Sequence, residues 1–173
     1  MILLMNLSYK IRRAMEIKII KDKNKKLAIS IYILEDLKTW FAIDESRKAY
    51  INESKDQLFL ACIDGDKALG FLTLKKTGDR TCELAVMGVL KDYHRMGIGR
   101  DLVNFAKKLA YDKGYCFLQV KTLKMGSDPY YDKTNFFYKS MGFSEFELIK
   151  DLWGEDNPCQ IYILSLKEGA INE

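Results

Sequence analysis

Residues 81–123 constrain the fold most tightly. An apolar run, "TCELAVMGVL" (81–90), leads through the glycine-rich turn "KDYHRMGIG" (91–99) into a helical pattern and then a second apolar run, "YCFLQVKTL" (115–123). Ile98, Leu102, Phe105 and Leu109 recur at helical spacing, and Gly114 is a natural stop. Strand, turn, helix and strand in this order place the chain in the α/β class. Gly97 and Gly99, one residue apart where the helix begins, ask what approaches this backbone closely.

The flanking segments complete the pattern. "MEIKII" (15–20) reads as a strand, and residues 25–43 as a helix with Leu27, Ile31, Leu34, Leu37 and Phe41 on one face. Asp44 is an N-cap for a second helix. "QLFLACI" and "KALGFLTLKK" flank the turn "DGD", and "TGDR" (77–80) leads into the next strand. "YDKTNFFYKSM" (131–141) reads as a helix closed by Gly142, followed by the strands "FSEFELI" and "QIYILSL". The order is β-α-α-β-β-β-α-β-α-β-β, and its meander excludes an all-parallel sheet.

The 173 residues suit one domain over 15–173 after an extension of residues 1–14, or after a start site placed too far upstream. A net charge of +4 is too mild to argue for nucleic acid. Cys62, Cys82, Cys116 and Cys159 form no C-x-x-C or zinc-ligand pattern, and each sits in an apolar run where a free thiol packs as a small hydrophobe. No metal site is expected, and a reduced, cytoplasmic protein is. The charges near the start follow the short apolar stretch, the wrong order for a secretory signal, and no run is long enough to span a membrane.

A strand, a glycine turn and a helix N-terminus together make an anion site, because the first helical amides lack internal partners and carry the positive end of the dipole. Arg95 and Arg100 add charge. The plainer reading is a tight turn whose arginines face water. A dinucleotide fingerprint would need glycine where Leu102 stands, and a P-loop would need G-K-[ST], which is missing.

"MGVLKDYHRMGIGRDL" resembles motif A of the GCN5-related N-acetyltransferases (GNAT), with signature [QR]-x-x-G-x-[GA], and "FFYKSMGF" (136–143) is similar to that family's "FYxxxGF" helix. His94 departs from the signature's first position, which puts a side-chain contact from it in doubt. The resemblance implies a mixed sheet splayed between its fourth and fifth strands, with helices on both faces. It implies acetyl-CoA as co-substrate, its diphosphate on the amides of Arg95, Met96, Gly97, Ile98, Gly99 and Arg100. Gly88 inside the strand reads either as a bulge or as a close approach to a large neighbour. The resemblance implies a bulge on this strand, beside which Met87 and Val89 would offer backbone to the pantetheine arm, with Lys121 and Thr122 near the open end of the other wall. Homodimers are common in the family.

An ammonium must lose a proton before it attacks a thioester, so a base is needed, and a departing thiolate is helped by a proton donor. Glu83, the only acid between Thr81 and Leu90, is the expected base, although strand alternation leaves its direction open if a bulge intervenes. Tyr138 matches the family's general acid. The acceptor would be an amine of a small molecule or protein. Its pocket would draw on Trp40, Phe41, Tyr50 and Trp153, with Asp36, Asp44, Glu45, Glu155 or Asp156 drawing the ammonium. Two alternatives stand beside this N-acetyltransferase: a non-catalytic acyl-CoA sensor of the same fold, and a phosphate-binding protein of another fold.

Overall fold

In the computed structural model, which describes residues 15–154 and 156–166, eleven helices and strands follow in the expected order. They are β1 (Met15–Ile20), α1 (Lys23–Asp36), α2 (Asp44–Ser54), β2 (Leu58–Asp64), β3 (Lys67–Lys76), β4 (Thr81–Val89), α3 (Ile98–Asp112), β5 (Phe117–Leu123), α4 (Pro129–Ser140), β6 (Ser144–Ile149) and β7 (Cys159–Ser165). A single 3-10 turn, Lys91–Tyr93, lies between β4 and α3. The extension expected over residues 1–14 and Glu155 fall outside the described residues.

The strands form one sheet in the order β1-β2-β3-β4-β5-β7-β6. β1 to β4 are antiparallel neighbours, β4 and β5 are parallel, and β7 inserts antiparallel between β5 and β6. The fold is therefore a mixed α/β sheet with a helix layer and a core cluster on each face. α1 and α2 cover Phe59, Ala61, Phe71 and Val86; α3 and α4 cover Leu60, Leu72, Leu84, Leu118 and Val120. α3 buries Ile98, Leu102, Val103, Ala106 and Ala110, and each large apolar side chain contributes about 1.5–3 kcal/mol.

Local chemistry sets several boundaries. Asp22 accepts from Lys25 N–H at 2.7 Å to start α1. Asp128 accepts from Tyr130 and Tyr131 N–H with Pro129 at the first helical position, so α4 begins two residues earlier than periodicity predicts. Asp44 is not a cap: Ile43 holds that position, and Asp44 instead joins the Arg47 guanidinium. Two buried lysines close helix ends. Lys26 Nζ donates to Gln57 O at 2.6 Å beyond α2, and Lys107 Nζ donates to Met141 O at 2.6 Å beyond α4.

The first helix departs from expectation in length and in face. It ends at Asp36, and it buries Ile29, Ile33 and Leu34, with Leu37 following as its C-cap; Leu27 is half-buried and Ile31 is exposed. Apolar residues surround this helix on more than one side, so the sheet decides which of them go in. Gly88 makes that decision. A Cβ there would stand 2.9 Å from Ile33 Cγ2 and 3.0 Å from Leu37 Cδ1. The missing side chain is the hollow that these two residues fill.

Candidate active site

Gly88 is thus a close-approach glycine and not the bulge. The register of β3 on β4 runs Thr73↔Val86 and then Leu74↔Leu84, which leaves Ala85 as the extra residue. The parallel ladder also stops there, its last pair being Leu84↔Val120 although β4 continues to Val89 and β5 to Leu123. Beyond this point the two strands part.

Leu90 N–H donates to Leu69 O at 2.9 Å, which makes Val89 and Gly70 a pair that exchanges no hydrogen bonds of its own. Val89 N–H and C=O therefore point away from β3 into the gap, and by alternation so do those of Met87. The Val89 carbonyl already has a donor, His94 Nε2 at 2.7 Å, whose ring stands edge-on to Trp40. His94 is thus exposed yet tied by its side chain to the rim of the gap, a contact invisible in the signature.

At the mouth of the gap the chain turns twice through left-handed conformation, at Arg95 (φ 65°) and at Gly97 (φ 88°). Turns of this kind gather successive N–H groups toward one concavity. Among the described residues, no protein acceptor takes a hydrogen bond from the amides of Arg95 to Arg100. Asp101 N–H is the first to bond, to Gly97 O at 3.0 Å. The Arg95 and Arg100 side chains are exposed and, among the described residues, unpaired. A Cβ at Gly99 would stand 3.5 Å from Phe137 of α4, an ordinary contact, so the packing of α3 on α4 does not require glycine there. Gly70 carries no local signal in the sequence. A Cβ there would stand 3.1 Å from Ile98 Cγ2 and 3.0 Å from Val89 Cγ2, so Gly70 lets the start of α3 and the end of β4 seat together.

The bulge at Ala85 also orients Glu83. It turns Glu83 onto the face of Val86 and Gly88, beneath α1 and α2. Gln119 Nε2 at 2.8 Å and Lys121 Nζ at 2.9 Å both donate to Glu83 Oε2, leaving Oε1 without a protein partner among the described residues. The carboxylate lines a cleft of about 220 Å³ with Tyr50, Glu53, Lys75, Lys121 and Trp153.

Tyr138 lies on the opposite face, its ring edge-on to Phe137 and Phe143 within the core cluster of Leu84 and Val120. Burial pushes its phenol well above the usual range, so it stays protonated at any physiological pH.

Of the expected aromatic wall, Tyr50 and Trp153 line this cleft. Trp40 packs instead on His94 and Tyr130, and Phe41 packs edge-on to Tyr50. Asp36 caps Lys91 N–H at 2.8 Å, Asp44 pairs with Arg47, and Glu45 and Asp156 are exposed and do not line the cleft. The acid that lines it beside Glu83 is Glu53, which shares a helical face with Tyr50 at i, i+3.

A family model, the acetyltransferase (GNAT) family, matches residues 26–143. No curated protein matches the chain by sequence. Solved structures share the fold. An acetyltransferase of the GNAT family from Desulfovibrio desulfuricans is similar at TM-score 0.77 and 19% identity, covering 89% of this chain and 100% of its own. The ribosomal-protein-S18-alanine N-acetyltransferase of Escherichia coli aligns at 0.70 and 18%, covering 92% and 98%. An aminoglycoside 6'-N-acetyltransferase complexed with coenzyme A aligns at 0.67 and 18%, covering 88% and 98%. The matched segment runs well past half of the chain and takes in the parted strands, the loop of free amides and the "FFYKSMGF" helix together; the chain belongs to the acetyltransferase (GNAT) family.

Proposed function

We propose that this chain moves an acetyl group from acetyl-CoA to a primary amine, by direct attack of the amine while both substrates are bound. The observation that carries the reading is the row of unpartnered amides from Arg95 to Arg100, set at the mouth of a gap between two strands. A diphosphate fits such a row, since it accepts many hydrogen bonds and favours a helix N-terminus. Arg95 and Arg100 would add charge-assisted bonds. Met87 and Val89 would bond the pantetheine arm through backbone groups facing the gap. Val89 N–H is available for this; its carbonyl becomes so when the His94 ring turns aside.

Acetyl-CoA supplies the acyl group as a thioester. Glu83 takes a proton from the incoming ammonium, directly or through water, at Oε1, the oxygen without a protein partner among the described residues. The nitrogen then bonds the acyl carbon, and the carbon–sulfur bond breaks. Tyr138, held neutral by burial, gives the departing sulfur a hydrogen bond or a proton. Gln119 and Lys121 hold Glu83 in place.

Thiol release from acetyl-CoA, measured against a broad panel of amines, tests the reading. Glu83→Gln is expected to lower kcat by about 10²–10⁴-fold. Tyr138→Phe is expected to lower kcat with little change in coenzyme affinity. Equal losses in turnover and affinity for Tyr138→Phe would mark it as structural. Silence across the panel with coenzyme binding intact would leave a sensing module.

A further inference from the structure

The charges of the cleft point to a class of acceptor. Two carboxylates, Glu53 and Glu83, face two ammonium groups, Lys75 and Lys121, so the formal sum is zero. The two pairs are unequal. Lys121–Glu83 is close, at 2.9 Å, and largely buried on the glutamate side. Lys75–Glu53 is 3.8 Å apart with both side chains about half exposed, the kind of pair that contributes about 0–1 kcal/mol and is easily given up. Lys75 is also the cross-strand partner of Glu83, yet among the described residues it makes no ion pair with it. A loosely held ammonium therefore stands one strand away from the oxygen assigned to proton removal.

Beyond Lys75 the surface turns basic. An adjoining hollow of about 290 Å³ shares Gln57 and Lys75 with the cleft and adds Lys76 and Lys113 against a single carboxylate, Asp56. That carboxylate and Lys76 are already paired, with Lys23 and Asp79. Lys113, without an ion pair among the described residues, leaves the excess charge past Lys75 positive. Gln57 Oε1, at the junction, is buried without a donor.

A polycation would have to place a second positive charge among these lysines, at a cost in repulsion and desolvation. An acceptor that also carries a carboxylate meets no such conflict. Its amine approaches Glu83 Oε1, its carboxylate takes Lys75 from Glu53, and the sum stays zero. Tyr50 and Trp153 supply apolar walls for a side chain between the two ends.

Resting on the acetyltransferase reading above, we infer that the acceptor is a small amino acid-type zwitterion, with its carboxylate held by Lys75 and its amine presented to Glu83. The products are the N-acetylated amino acid and the free thiol of the coenzyme, and the ammonium's proton leaves through Glu83.

The experiment uses the full chain with acetyl-CoA and matched acceptors with and without the carboxylate: lysine and cadaverine, phenylalanine and phenethylamine, tryptophan and tryptamine, with spermidine as polycation. The expected result is at least a tenfold higher kcat/KM for one or more amino acids than for the matched amine. Lys75→Gln should raise KM for that amino acid about tenfold and leave the decarboxylated amine unchanged. Preference for spermidine or for the decarboxylated amines overturns this inference alone, as does an equal effect of Lys75→Gln on both members of a pair. No turnover with any amine, despite coenzyme binding, overturns the acetyltransferase reading and this inference with it.

Discussion

Replacing Gly97 with alanine isolates the amide row from every side chain around it. Gly97 caps α3 at φ 88° and ψ −3°, left-handed ground in which a Cβ costs about 1–2 kcal/mol. The free protein should lose roughly that amount. In a chain of this size, a loss of about 1 kcal/mol lowers the melting temperature by about 2–4 °C. If the loop escapes the strain by leaving the left-handed well, only a fraction of molecules keeps the cradle. A 1–2 kcal/mol bias then weakens coenzyme A binding about 5–30-fold. Arg95→Gly is the companion variant. Its backbone (φ 65°) suits glycine, so the amides stay in place and only the guanidinium is lost. Calorimetric titration with coenzyme A should give a salt-insensitive loss for Gly97→Ala and a loss that shrinks at high salt for Arg95→Gly. A Gly97→Ala protein that melts lower but binds coenzyme A as tightly as the wild type would refute the claim that these amides anchor the diphosphate.

Other expectations follow from the same geometry. Gly70→Ala forces a Cβ against Gly88 O at 3.1 Å and Ile98 Cγ2 at 3.1 Å, so stability should fall by about 1–3 kcal/mol; coenzyme affinity should fall with it, as the start of α3 is displaced. Both are read by thermal melting and titration. Lys107→Met leaves the carbonyl beyond α4 without its donor and should cost about 1–3 kcal/mol in urea melts, with coenzyme affinity retained. Burial pushes the thiols of Cys62, Cys82 and Cys159 up to about 11 from an ordinary 9.0, so the folded state holds protons that the unfolded chain releases. Their contribution is intact below pH 9 and is lost as pH rises through 11, and denaturant midpoints should drop across that window. A thiol reagent at pH 8 should label Cys116, which is partly exposed beside Arg80, and reach the other three only after unfolding.

Much of this protein is written in local signals. The turn at "DGD", the Asp22 and Asp128 caps with Pro129, and the glycine-rich entry to α3 each act within a few residues, so element order and the glycine turn are legible directly. Periodicity located α3 and its buried Ile98 and Leu102, yet the buried side runs on through Val103, Ala106 and Ala110, which leaves Phe105 exposed and Leu109 half-buried. It misjudged α1, whose apolar residues lie on several sides, because the buried side was chosen by the hollow at Gly88, some fifty residues away in sequence. Register was equally out of reach. A single extra residue at Ala85 reverses the alternation of β4, and that alone sends Glu83 to the α1–α2 face. The sequence by itself determined the order of elements and the glycine turn ahead of α3, and it singled out Glu83 and Tyr138 as the candidates for base and acid. Only the tertiary structure decided where the bulge falls, that Gln119 and Lys121 hold one oxygen of Glu83, and that Glu53 and Lys75 share its cleft. The reason is physical: caps and turns are settled by neighbours along the chain, whereas a cleft is settled by strands and helices that meet only when the sheet is assembled.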